Sequence, residues 1–303
     1  MNPAVLYFAS GDSLYFGAML LLLAIITSPY LKQRWMMRCR NIVAWVALVM
    51  IMMACPPFPW IVGAIFLGVF ASWFFASNRS GAGRMLVRSR FVVTSALVLL
   101  LLVLPAIELF HRRMPEIVGV PSDHLVIIGD SISSGIDPRV PAWPFVMQQM
   151  TGVSVKNLAR PGAETIEAQA MSKEITPEDR VVLLEIGGND ILTSVPSGEF
   201  ERALDALLLK IVAPGRTVVM FELPLFPHKI AYGQIQRRLA AKYGVWLIPK
   251  RFFIDVIGGA NATSDGLHLS DSGTHRMAAL VAQTLSHVLK SPTLTGITPA
   301  PQP

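Results

Sequence analysis

The sequence predicts a doubly wound α/β domain preceded by about four membrane-spanning helices. Three observations predict it. Charge divides unevenly along the 303 residues: residues 1–116 carry ten Lys and Arg against three acids, and residues 117–303 carry sixteen against seventeen. Four long apolar runs crowd into the first part. In the second part, short Val-, Ile- and Leu-rich runs alternate with helical patterns. The chain is 52% hydrophobic and only 15% charged, where an ordinary soluble domain has about 25% charged residues. That composition excludes a disordered chain or a coiled coil. The basic excess belongs to the apolar part, so it does not indicate nucleic-acid binding, which needs cations on a folded face.

The apolar runs are Ser13–Leu31, Asn41–Cys55, Trp60–Ala76 and Phe91–Phe110, and they define a transmembrane region over 1–110. A spanning helix needs about 20 mostly apolar residues, which the first and last runs supply. The middle two are shorter and are joined by Pro56-Pro57-Phe58-Pro59, which cannot continue a helix. They read as two spans rather than a re-entrant hairpin. Trp35, Trp45, Trp60 and Trp73 lie near run ends, as interfacial belts require. Eight of the ten bases lie in 32–40 and 79–90. Short loops rich in Lys and Arg stay cytoplasmic, so residues 111–303 are expected on the extracytoplasmic side. No basic stretch precedes the first run, which argues against a cleaved signal peptide. Cys39 and Cys55 fall on opposite predicted sides, so no disulfide is expected.

A linker is expected over 111–122, a folded domain over 123–290 and a disordered tail over 291–303. Strands are predicted at His124–Ile128, Val153–Leu158, Arg180–Ile186, Thr217–Glu222 and Val245–Ile248. They show little alternation, which suits strands buried on both faces of a parallel sheet. Helices are predicted at Pro144–Met150, Glu164–Lys173, Glu199–Val212, Tyr232–Tyr243 and Asp271–Lys290. Such sheets bind ligands outside the carboxyl ends of their strands.

Polar residues gather at those ends. Strand one runs into Gly129-Asp130-Ser131, strand two into Asn157 with Gly162 five residues on, and strand three into Gly187-Gly188-Asn189-Asp190. Asp265-Gly266-Leu267-His268 precedes the last helix. Singly, each has a structural reading: Ser131 and Asn189 as helix caps, Gly162 as a turn, Asp265 and His268 as a surface pair. Four motifs in order, three directly after predicted strands, point to a site. The segment 120–290 resembles the SGNH hydrolases, also called GDSL-type lipases and esterases. Gly11-Asp12-Ser13-Leu14 spells that family's nominal motif, yet no strand precedes it. Asp12 or Ser13 is expected there as the N-cap of the first membrane helix.

The resemblance implies a flavodoxin-like three-layer αβα sandwich with a five-stranded parallel sheet, and serine-based acyl-ester chemistry. Ser131 is then the nucleophile, His268 its base and Asp265 the carboxylate that orients the imidazole. The resemblance assigns the oxyanion hole to the N–H of Ser131, the N–H of Gly162 and the side-chain amide of Asn189. Asp130 and Asp190 are expected to cap the turns that follow them. No metal or organic cofactor is expected, since neither a Cys/His ligand cluster nor a nucleotide-binding glycine loop is present. The apolar stretch Leu223–Pro227 is a candidate acyl-pocket wall. Arg139, Arg160, Lys229, Lys250 and Arg251 with Glu164, Asp190 and Asp255 are expected to form a mixed charged rim. The leading expectation is a membrane-anchored serine esterase or lipase of a bacterial inner membrane. The alternatives are an O-acyltransferase or deacetylase acting on an envelope polysaccharide, and a non-catalytic membrane-complex subunit. Expected partners are an acyl-ester substrate, lipid or acylated glycan, and membrane lipids. The four helices leave room for a membrane-protein partner or a homo-oligomer.

Overall fold

The computed structural model describes residues 3–31, 33–79 and 84–290. It divides into two compact units, whose main parts are Tyr7–Arg113 and the chain from Met114 onward. The predicted tail, 291–303, lies outside the described residues.

The first unit is helical. After a short α1 (Pro3–Ala9) come α2 (Asp12–Thr27), α3 (Arg34–Met53), α4 (Trp60–Asn78) and α5 (Arg84–His111). All four of these longer helices are long and apolar enough to cross a membrane. The second begins at Arg34 rather than Asn41, because Arg and Met are good helix formers and an apolar-run reading registers only the uncharged turns. With 20 and 19 residues, α3 and α4 both reach spanning length. Gly17 lets α2 and α3 approach closely, since a Cβ there would lie 2.8 Å from the Ala47 carbonyl oxygen. Small residues at such crossings bring backbones into contact. The buried Arg40 guanidinium ties three helix ends, donating to Ser28 Oγ at 2.7 Å and Asn78 Oδ1 at 2.9 Å.

The N-cap of α2 corrects the sequence expectation. Gly11 holds the cap position with φ 82°, and neither Asp12 nor Ser13 caps by its side chain. The Asp12 carboxylate turns instead to Arg112 Nη2 at 2.5 Å and accepts from Ser10 Oγ at 2.7 Å. An ion pair outcompetes a neutral cap for that carboxylate.

The second unit holds a five-stranded parallel sheet of order β2-β1-β3-β4-β5. The strands are β1 (His124–Gly129), β2 (Ser154–Asn157), β3 (Val181–Glu185), β4 (Thr217–Phe221) and β5 (Trp246–Ile248). This is the flavodoxin-like order, with its switch point between β1 and β3. The connecting helices are α6 (Ser131–Ser134), α7 (Trp143–Thr151), α8 (Thr165–Met171), α9 (Gly188–Leu192), α10 (Ser197–Ile211), α11 (Ile230–Tyr243), α12 (Lys250–Ile257) and α13 (Asp271–Thr284). The helix α12, begun by Pro249, was not expected, and α13 ends at Thr284 rather than Lys290. β1, β3 and β4 are buried almost throughout, as their unbroken apolar runs require. On one face, Trp143, Met147, Met277 and Val281 pack over Leu125, Ile127 and Leu183.

The stretch read as a linker is part of this unit from Met114. Ile117 is 1% exposed within the sheet's core, and Met114 packs beside it. Ser122 then joins the far end of the domain: its N–H donates to Val288 at 2.9 Å, and the Lys290 N–H donates to its carbonyl at 2.7 Å.

Candidate active site

β1 ends in a glycine for a steric reason. A Cβ at Gly129 would lie 2.9 Å from Ser133 Cβ and Oγ and 3.0 Å from the Glu185 carbonyl oxygen. Asp130 then caps α6, its Oδ1 accepting from the Ile132 N–H at 2.9 Å. Ser131 is thereby the first residue of a one-turn helix at the carboxyl edge of the sheet. Asn157, at the end of β2, braces the same turn by donating to the Ser133 carbonyl at 2.8 Å.

Asp265 and His268 arrive on a loop before α13. The Ser264 N–H donates to the His268 carbonyl at 2.9 Å, and Thr263 pairs antiparallel with Leu269. Asp265 Oδ1 accepts from the N–H groups of Leu267 at 2.9 Å and His268 at 2.8 Å. Its Oδ2 meets His268 Nδ1 at 2.6 Å, and His268 Nε2 meets Ser131 Oγ at 3.2 Å. The structure thus brings Ser131, His268 and Asp265 into one chain of contacts across 137 residues of sequence. The imidazole bond, backed by the two loop N–H groups, holds the Asp265 carboxyl well below the usual carboxylate range. An ionised carboxylate only accepts, so Nδ1 carries the proton and the neutral ring presents Nε2 as acceptor to the serine hydroxyl. The carboxylate side chain is 50% exposed and the imidazole 20%.

Gly273 fixes where that loop meets α13. A Cβ there would lie 2.0 Å from the Ala262 carbonyl oxygen, which already accepts from the Ser270 N–H at 3.0 Å. Gly273→Ala is therefore expected to cost about 1–3 kcal/mol of stability, the usual range for overpacking. The measurement is a lowered Tm in thermal unfolding of the purified protein.

The three expected oxyanion donors lie on three neighbouring turns. Gly162 has φ 75°, a conformation that glycine adopts freely. No atom lies within 4 Å of where its Cβ would be, so its face is open. Among the described residues, neither the Ser131 nor the Gly162 N–H has a hydrogen-bond acceptor. Asn189 differs. Its Nδ2 donates to Asp130 Oδ2 at 3.2 Å and to the Ala163 carbonyl at 3.0 Å, which uses both amide hydrogens. Asp190 does not cap its own turn. Its Oδ2 accepts from the N–H and Oγ1 of Thr165, at 2.9 and 3.0 Å, pinning α8 beside the Gly162 loop. Burial pushes its carboxyl up.

A shallow cleft, open to solvent, adjoins Ser131 and His268. Its apolar wall is Ile132, Ile136, Val140 and Leu269 rather than the expected Leu223–Pro227 stretch. Leu223 packs instead at Gly187, where a Cβ would approach it to 3.0 Å. On the rim Arg139 is paired with Asp137 at 2.9 Å and Arg160 with Glu174 at 3.7 Å, so these cations meet acids close by. One group at the site has no counterpart among the sequence expectations. Glu185, last in β3, lies buried below the nucleophile turn and accepts from Ser133 Oγ at 2.8 Å. Ser133 Oγ in turn accepts from Trp143 Nε1 at 3.2 Å. A lone acid ending the run Val181-Val182-Leu183-Leu184 was the available signal.

Comparison with known proteins concerns the sheet domain as a whole. Residues 127–276 match the model of the GDSL-like lipase/acylhydrolase family. The chain is 25% identical over 181 residues to the esterase TesA of Pseudomonas aeruginosa, covering 54% of this chain and 89% of that protein. It is 28% identical over 184 residues to an arylesterase of Vibrio mimicus, covering 54% and 88%. Among solved structures it is similar to TesA, with a TM-score of 0.48 at 25% identity over 55% of this chain and 99% of that one. It is also similar to the esterase EstA from Pseudoalteromonas sp., with a TM-score of 0.47 at 19% identity over 55% and 97%.

Proposed function

The domain built on this sheet belongs to the GDSL-like lipase/acylhydrolase family, and we propose that it is a serine carboxylic-ester hydrolase held at the extracytoplasmic face of a membrane by the four apolar helices. The observation that carries the chemistry is the contact chain from Ser131 Oγ through His268 to Asp265, at 3.2 and 2.6 Å. A serine hydroxyl is too weak an acid to attack an ester unaided. His268 Nε2 takes its proton as Oγ bonds to the ester carbonyl carbon, and the imidazolium is stabilised by Asp265. The carbonyl oxygen becomes an oxyanion facing the N–H groups of Ser131 and Gly162, with Asn189 turning one amide hydrogen from Ala163 or Asp130 toward it. His268 returns the proton to the leaving alcohol, and the carbon–oxygen bond breaks to leave an acyl-serine. Water, deprotonated by the same imidazole, then releases the carboxylic acid and restores Ser131.

Membrane anchoring rests on the length and apolarity of the helices. Sidedness rests on the Lys and Arg clusters at 32–40 and 79–90. The relatives named as esterases support an ester substrate, and a cleft with an apolar wall suits its acyl part. A membrane-impermeant fluorophosphonate tests both parts. Intact bacterial spheroplasts expressing the wild type are expected to label at Ser131, and the Ser131→Ala protein is not. Labelling only after lysis overturns the orientation, and absence of Ser131-dependent labelling overturns the catalytic reading.

A further inference from the structure

We propose that Glu185 and Asp130 share one proton beneath the nucleophile turn, and that this pair is a positioning device for the Asn189 amide. The inference rests on the serine-hydrolase reading and extends it to two residues that touch no substrate. Glu185 stands opposite Gly129 in the β1–β3 register, one residue before Asp130. One of its carboxyl oxygens is taken by the Ser133 hydroxyl at 2.8 Å. The remainder of the carboxyl interacts with Asp130. Asp130 spends Oδ1 on the Ile132 N–H at 2.9 Å and Oδ2 on Asn189 Nδ2 at 3.2 Å. Thus two hydrogen-bonded runs meet beneath the nucleophile turn, Trp143–Ser133–Glu185 and Asn189–Asp130–Ile132.

Charge decides how many protons the pair holds. Both carboxyls are buried, with Asp130 4% and Glu185 6% exposed. Two carboxylates in contact inside a protein do not both ionise. The charged groups facing the pair are His268, from the loop before α13, and Asp190, from α9. Asp190 is a further acid, and His268 is already held by Asp265. Desolvation and the neighbouring Asp130 push the Glu185 carboxyl well up, so it keeps the proton and donates it to Asp130. Asp130, pushed up to about 6 mainly by burial, ionises above that pH. Ionised, it offers Asn189 a charged acceptor; protonated, it loses that grip. The pair titrates as a unit.

The test uses full-length protein in detergent with p-nitrophenyl acetate, recording kcat and KM against pH. Asp130→Asn keeps the acceptor for Ile132 but turns an N–H toward the Asn189 amide. It is expected to lose kcat by about 100-fold, the effect of removing one oxyanion donor, with KM little changed. Glu185→Leu removes the proton donor, so Asp130 stays protonated to higher pH, and the acid limb of kcat moves up by about one pH unit. Glu185→Gln still donates to Asp130 and is expected to bring the limb back. A Glu185→Leu protein with lowered Tm but an unmoved limb, or an Asp130→Asn protein with wild-type kcat, overturns the proposal. Ser131→Ala run alongside separates the two levels. If it still hydrolyses the ester, the hydrolase reading itself fails. If only it is inactive while the pair variants behave as wild type, the pair alone fails.

Discussion

Ser131→Ala is expected to lower kcat for p-nitrophenyl ester hydrolysis by about 10⁶-fold, as loss of the nucleophile does in serine hydrolases whose groups act as a unit. The geometry makes no provision for a substitute. Ser133, two residues on, is buried and its hydroxyl is committed to Glu185 and Trp143. Ser134 lies on the same single turn, but its hydroxyl is bonded to the Gly135 carbonyl at 3.3 Å. The fold should be indifferent, because the Ser131 hydroxyl meets only His268 Nε2 at 3.2 Å and supports no buried polar group. A stopped-flow or plate assay, paired with circular dichroism, checks both halves. An alanine variant retaining even a hundredth of wild-type kcat would show that another group performs the attack.

Asp265→Asn is expected to cost about 10⁴-fold in kcat, because it leaves the histidine in the wrong tautomer. Asparagine Oδ1 can still accept from the Leu267 and His268 N–H groups, so the loop keeps its shape. Its amide nitrogen then faces His268 Nδ1 at the 2.6 Å contact. Both groups cannot donate, so the ring proton moves to Nε2, and Nε2–H has no lone pair for the Ser131 hydroxyl. The side chain is half exposed, which keeps the stability change small. The pH dependence has a definite sign. The native Asp265 carboxyl sits below its unfolded value, so its brace on the loop is complete above the ordinary carboxylate range. It fades as pH falls through that range toward the depressed native value. Kinetics of the variant from pH 5 to 9, with Tm beside them, test the claim. A wild-type kcat at pH 7 would remove Asp265 from the reaction.

The sheet was legible because parallel strands buried on both faces are written as unbroken apolar runs, and Val181-Val182-Leu183-Leu184 admits little else. The edge strand β2 is Ser154-Val155-Lys156-Asn157, half polar, and shorter than the predicted Val153–Leu158. Ser131 and Asn189 stand out as polar residues just after strands, Asn157 as a polar residue at a strand end and Gly162 as a glycine in the loop beyond it. What stayed hidden was pairing across the sequence. Nothing local to Glu185 says that Gly129, 56 residues earlier, stands opposite it, nor that Asn189 spends both amide hydrogens inside the protein. The start of α3 departs from the apolar run for another reason. Apolarity marks where a helix meets lipid, whereas arginine-rich turns such as Arg34–Arg40 are helical without being apolar. The decoy at Gly11-Asp12-Ser13 shows that spelling carries less than context, since its aspartate answers to Arg112.

The clasp between Ser122 and the Val288–Lys290 strip has a geometric corollary. The last described residues of the sheet domain lie beside Ser122, at the amino end of β1. The catalytic turn lies at the other end of that strand, six residues away, which at about 3.3 Å per residue is roughly 20 Å. Domains with adjoining ends are the ones that accept permutation and insertion. A reporter fused directly after Lys290 therefore attaches at the pole opposite Ser131 and leaves the mouth of the cleft clear.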